Sequence, residues 1–205
     1  MLVTFIGAPI AGKTTTAATL FANLKEQGLP VEFLTEYARM YIAQKRRLEG
    51  GSFSGLDDLD QYAIFEEQAK HEEIFSADPQ SIVIADSSAV SSLLYMSPAF
   101  IEQERNREPP FGHPNAINRA RLCAERYDIV FRCSPVRSGV LYDPNRIHSY
   151  EQSLELDKRI NDVFDLVKMS GSKVYPLFGD TKFRVTEAAA VVMRKVVDNL
   201  KRAGK

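Results

Sequence analysis

The chain has 205 residues, 44% of them hydrophobic and 26% charged, with a net charge of −1. That length suits one well-buried core, so a single domain over residues 1–205 with a small lid is expected, and the near balance of charges removes any global electrostatic reason to bind nucleic acid. No apolar run approaches the roughly 20 residues a bilayer span needs, and Met1 leads directly into an apolar run, so neither a membrane anchor nor a signal peptide is expected and the expected location is cytoplasmic. Cys123 and Cys133 lack partners at metal-ligand spacing, which predicts reduced, partly buried thiols with no zinc site and no disulfide framework.

Leu2 to Ile6 reads as a strand and runs into Gly7-Ala8-Pro9-Ile10-Ala11-Gly12-Lys13-Thr14-Thr15, which meets the pattern G-x-x-x-x-G-K-[ST] at every fixed position. Glycines let consecutive backbone N–H groups curl toward an anion, Lys13 brings a cation, and the Thr14 hydroxyl suits Mg²⁺. The helix that follows, Lys13 to Gln27, adds its N-terminal dipole and ends at Gly28-Leu29-Pro30. A triphosphate is therefore the expected ligand.

Val31 to Thr35 reads as a second strand, Glu36 to Arg47 as a helix, and residues 49 to 55 as a flexible glycine- and serine-rich loop. Asp57 or Asp58 caps a helix that runs to about Phe75, and Ser81 to Ala85 is a short, continuously apolar run of the kind buried on both faces of a parallel sheet. Between Ser87 and Arg126 the pattern is helical but broken by Pro98, Pro109, Pro110, Gly112 and Pro114. Tyr127 to Cys133 reads as a fourth strand, Ser149 to Met169 as one long helix, Lys173 to Phe178 as a fifth strand and Lys182 to Arg202 as a closing helix. Strands alternating with helices predict an α/β fold of the P-loop NTPase type: a five-stranded parallel sheet, helices on both faces, ligands at the C-terminal strand edge. Gly7, Glu36, Asp86 and Ser134 each follow a strand, so all four are expected to face one cleft.

Asp86 ends its strand as a metal-holding carboxylate does opposite a phosphate loop, although a strand-end aspartate also serves as a simple cap. Glu36 is suited to take a proton from an acceptor hydroxyl; the spacing equally allows it to favour its helix dipole while Arg39 pairs with it. Residues 134–150 read as a lid, and an arginine delivered by a closing lid neutralises charge in phosphoryl transfer; Arg146, Arg137 and Arg159 are the candidates in that order. Tyr37, Tyr41 and Tyr62 are candidates to stack on a base or to pack against the sheet. His71, His113 and His148 are scattered.

With these residues in place, the chain resembles the NadR-like P-loop kinases, the ribosylnicotinamide kinase type sometimes grouped with AAA-type ATPase domains. The resemblance rests on the phosphate loop, on Glu36-Tyr37-Ala38-Arg39-Met40-Tyr41, on Asp57, Asp60 and Gln68, on Asp86, on Glu108-Pro109-Pro110-Phe111 and on Tyr127-Asp128-Ile129-Val130 leading to the lid. It implies an ATP- and Mg²⁺-dependent kinase acting on a nucleoside-like hydroxyl. Lys13, Glu36 and Arg146 would then be catalytic, Thr14 and Asp86 would hold the metal, and Arg39, Asp60, Gln68 and Asp143 would face substrate. Asp143-Pro144-Asn145-Arg146 departs from the family's Asp-Gly-x-Arg, since proline stiffens a turn where glycine is permissive. Two alternatives remain: a kinase of hydroxymethyl-pyrimidines in DNA, with Arg105, Arg107, Arg119, Arg121 and Arg126 forming a local phosphate-contacting groove, or a nucleotide-dependent switch.

Overall fold

The computed structural model describes residues 1–107, 115–135 and 149–204. Its five strands, β1 (Leu2–Ile6), β2 (Val31–Leu34), β3 (Ile82–Ala85), β4 (Ile129–Cys133) and β5 (Val174–Leu177), are ordered β2-β3-β1-β4-β5, and every neighbouring pair is parallel. The expected α/β sheet is therefore present, with β3 directly beside β1. Both faces are covered, and the sequence shows why. Along β1, Leu2 and Ile6 enter one core while Val3 and Phe5 enter the other; β3 divides in the same way, Val83 and Ala85 against Ile82 and Ile84. Because a strand buried on both faces has no polar side, β3 is continuously apolar and β1 is so except for the buried Thr4.

One core is closed by α1 (Lys13–Glu26) and α8 (Thr181–Ala203), through Leu20, Leu24, Ala188 and Val192. Across the sheet, α3 (Asp58–Phe75), α5 (Ala116–Arg126) and α7 (Ile160–Leu166) contribute Phe65, Ile117 and Val163 to the second core. Phe5 and Phe131 are fully buried with ring centroids 5.1 Å apart, tying β1 to β4. Each buried side chain of this size stabilises the fold by roughly 1.5–3 kcal/mol. α2 (Tyr37–Glu49) has no buried residue and stands at the rim, followed by a 3₁₀ turn at Gly50–Ser52.

Two expectations change. The single helix over Ser149–Met169 is broken into α6 (Tyr150–Lys158) and α7 at Arg159. Its N–H bonds to the carbonyl three residues back, Leu156 O, at 3.1 Å, and its guanidinium donates to Met96 O at 2.8 Å, which holds the break in place. The thiols of Cys123 and Cys133 are fully rather than partly buried, one in each core, so they cannot meet in a disulfide. The described residues of the proline-broken region form a 3₁₀ turn at Ala89–Leu94, α4 (Pro98–Asn106) and α5, each α-helix opened by a capping side chain, Ser97 or Asn115, while Pro109, Pro110, Gly112 and Pro114 lie outside the described residues. Among the described residues no helix is long and apolar enough to cross a membrane.

Candidate active site

Because the sheet is parallel, the residues that follow β1, β2, β3 and β4 emerge on one edge. After β1 the chain turns too tightly for any residue but glycine at position 7: a Cβ there would stand 2.7 Å from Cys133 O. Gly12 sits in the left-handed region at φ 74° and opens α1 with no side chain capping its first turn, which leaves that turn's N–H groups to an anion. Ile10 also holds φ 68°, a conformation that costs a β-branched residue about 1–3 kcal/mol and is met where a site demands it. The Lys13 ammonium lies over the loop, donating to Gly7 O at 2.8 Å and Ala8 O at 3.2 Å.

Thr14 lies between two partners. Its hydroxyl accepts from Arg39 Nη2 at 2.8 Å and reaches the Asp86 carboxylate. Asp86 is buried, and its Oδ1 has no hydrogen-bond partner. Burial, and then the charge of nearby Glu36, push its pKa up, against the opposing pull of Thr14, Lys13 and Arg39. A buried carboxylate oxygen with no partner, beside a second carboxylate and a threonine hydroxyl, is a place that a cation completes. Mg²⁺ fits these donors. Among the described residues no cluster of three or more His, Cys, Asp or Glu side chains forms an all-protein cage, so such an ion would share its ligands with phosphate oxygens.

Glu36 stands at the start of α2 without capping it and pairs with Arg39 Nε at 3.3 Å. The pair is exposed enough to contribute at most about 1 kcal/mol. Arg39 thus pairs with Glu36 and also bridges to Thr14, linking the start of α2 to the phosphate loop. Beside Glu36 opens a small cleft whose walls include Gln61, Gln68, Ser87, Ser92 and Tyr95. Ser88 and Ser91 share a hydrogen bond of 2.8 Å, whereas the side chains of the buried Gln61 and Ser92 make no hydrogen bond among the described residues and retain their capacity for a ligand.

Two of the residues expected to face substrate are engaged otherwise. The Gln68 amide accepts from Tyr37 N–H at 2.8 Å and donates to Ser87 O at 3.3 Å, so it ties the end of β2 to the end of β3 and lines the cleft from behind. Asp60 closes a reciprocal capping box with Asp57, accepts from Tyr41 Oη at 2.8 Å and pairs with Lys45. Burial alone would raise the Asp60 pKa, but those partners hold it below the usual range. It fastens α2 to α3. Tyr62 packs on Phe65 and Phe100, and Tyr37 lies edge-on to His71, leaving neither ring free as an unoccupied shelf. Arg137, Asp143 and Arg146, with most of the lid expected at 134–150, lie outside the described residues, as do His113, His148 and Glu108 to Phe111.

Arg184 is the residue that sequence reasoning missed. It projects from α8, is 2% exposed, and donates to Ala11 O at 2.5 Å and Ser134 O at 2.8 Å. In sequence it is one basic residue among the several of a closing helix, and nothing in its spacing points to the phosphate loop 173 positions earlier.

A family profile described as "AAA domain" matches residues 2–177. The chain belongs to that AAA domain family. A solved structure titled as thymidylate kinase from Ehrlichia chaffeensis superposes with a TM-score of 0.54 over 94% of this chain and 98% of that one, at 20% identity. At that identity the likeness shows the fold alone, that of a P-loop kinase. No curated protein matches the sequence.

Proposed function

We propose that the protein is an ATP- and Mg²⁺-dependent phosphotransferase that moves the γ-phosphate to a hydroxyl of a nucleoside-like small molecule. One observation carries this reading: an uncapped phosphate loop, a buried carboxylate with a free oxygen and a polar cleft headed by Glu36 adjoin on one sheet edge. A donor half and an acceptor half in contact suit transfer between two bound molecules. A switch protein needs only the first.

In this reading the loop N–H groups and Lys13 bind the β- and γ-phosphates. The Lys13 ammonium exchanges its carbonyl partners for phosphate oxygens and neutralises charge as the bond to the γ-phosphorus breaks. Mg²⁺, held by Thr14 and Asp86, supplies further neutralisation when bound. Glu36 orients the acceptor hydroxyl and takes its proton, while its pairing with Arg39 keeps that carboxylate aimed. The cleft walls exclude water, which would otherwise compete as acceptor. Arg146, carried by a lid over 134–150 with Asp143, is the remaining charge-neutralising group by resemblance to the NadR-like kinases. An ATP-dependent reaction and two buried, reduced thiols suit the cytoplasm.

The fold neighbour is by its title a kinase of thymidylate, an anion. Among the described residues that line this cleft none is cationic, which favours a neutral acceptor. Three of the five arginines of a DNA-binding groove are paired with acids: Arg119 and Arg126 with Glu73 at 3.2 Å, and Arg107 with Glu104 at 3.1 Å. Arg126 and Glu73 precede β4 and β3, which sets their cluster at the sheet edge opposite the phosphate loop. The test is transfer of labelled γ-phosphate to nucleosides, nicotinamide riboside and hydroxymethyluracil DNA, with Lys13→Ala as control. Label is expected on a nucleoside and absent with the variant. ATP hydrolysis with no labelled acceptor, or equal transfer by Lys13→Ala, would overturn the reading.

A further inference from the structure

Arg184 is a guanidinium buried to 2% exposure, and no carboxylate among the described residues lies within ion-pair distance of it. Its partners are two carbonyl oxygens, Ala11 O and Ser134 O, and its Nε is buried without a partner. Burying a charge without an opposite charge is costly, because carbonyl dipoles replace only part of the lost hydration. A structure that retains one has a use for the field or for the geometry. Here both point to the phosphate loop.

The geometry follows from peptide planarity. In a trans peptide the C=O and the following N–H point in opposite directions, and the chain has no cis peptide among its described residues. Holding Ala11 C=O against α8 therefore turns Gly12 N–H away from α8, toward the hollow of the loop, and the left-handed φ of Gly12 continues that turn into α1. The second bond, to Ser134 O, anchors the first residue after β4 to the same guanidinium. The loop and the exit from β4 are thus fastened to one rigid group. The charge acts on the same side: Lys13 and Arg184 are the two cations that most oppose the burial-driven rise of the Cys133 pKa, so both stand near that residue beneath the loop.

We infer that Arg184 is a positioning residue of the triphosphate site, aiming the Gly12 N–H at the phosphates and supplying a buried positive charge that the bound anion neutralises. The inference rests on the reading of this loop as a triphosphate site. It makes a prediction that a merely structural arginine does not. Replacing Arg184 should weaken nucleotide binding far more than it weakens the empty protein, because the empty protein already bears the cost of the unpaired charge.

The experiment measures the Kd of a fluorescent ATP analogue, with no acceptor present, for wild type, Arg184→Met, Arg184→Lys and Lys13→Ala. Thermal melting of each is followed with and without saturating ATP. Arg184→Met keeps the aliphatic stem and removes charge and donors; its Kd is expected to rise about tenfold or more, and its ATP-induced rise in Tm to shrink. Arg184→Lys keeps the charge but not the fork, and its Kd should fall between the two. Arg184→Met binding within threefold of wild type overturns the inference, as does a lowered Tm of the empty protein with an unchanged Kd. Should Arg184→Met not fold, Arg184→Lys decides, and a wild-type Kd for it counts against the inference. Wild type and Lys13→Ala binding equally weakly would instead remove the triphosphate reading on which the inference rests.

Discussion

Glu72 offers a quantitative test of how the back wall of the cleft is built. It is fully buried on α3; its Oε1 accepts from Ala89 N–H at 2.7 Å and its Oε2 from Tyr127 O–H at 2.9 Å. The groups facing it are Tyr127, which donates to it, and Gln68, Arg126 and Cys123. Burial dominates and pushes its pKa from 4.5 to about 7. An acid raised in the folded state binds more protons there than in the unfolded chain between those values. Its contribution to stability is therefore complete below about pH 4.5 and is lost as pH rises through 7. At about 1.4 kcal/mol per unit, that is on the order of 3 kcal/mol between pH 4.5 and pH 8. Glu72→Gln keeps the shape and removes the titration. Urea unfolding of both proteins across this range should show wild type losing about 3 kcal/mol relative to the variant. Parallel pH curves for the two proteins would refute the argument. Because Ala89 opens the 3₁₀ turn that carries Ser91 and Ser92, the same titration is expected to loosen the cleft wall.

Two further changes probe the donor half. Gly7→Ala places a Cβ 2.7 Å from a backbone oxygen that cannot swing away, so a loss of about 1–3 kcal/mol is expected in urea unfolding together with lost nucleotide binding; wild-type stability would contradict the close approach. Asp86→Asn removes a buried charge whose Oδ1 has no partner, so the empty protein should be as stable as wild type or more so, while the gain in nucleotide affinity on adding Mg²⁺ disappears. An unchanged Mg²⁺ response in that variant would show that the carboxylate holds no metal.

What the residues declared by themselves was local. Gly7 and Gly12 at their spacing, the apolar runs at Leu2 and Ser81, and the carboxylates at strand ends act through backbone sterics and short-range periodicity, which neighbouring residues carry in full. From these the parallel sheet and the positions of Lys13, Thr14 and Asp86 were legible. The break at Arg159 was not, because a carbonyl 63 positions away, Met96 O, holds it. Substrate roles for Asp60 and Gln68 are implied by the resemblance to the NadR-like kinases, which compares residues and not their partners. Which partner each one meets depends on how α2 and β3 are laid against α3, and that packing spent one on Lys45 and Tyr41 and the other on two backbone groups. Arg184 is the extreme case: its burial, its unpaired charge and its hold on Ala11 arise only when α8 docks on the sheet beside α1, a contact between the two ends of the chain that no local pattern encodes.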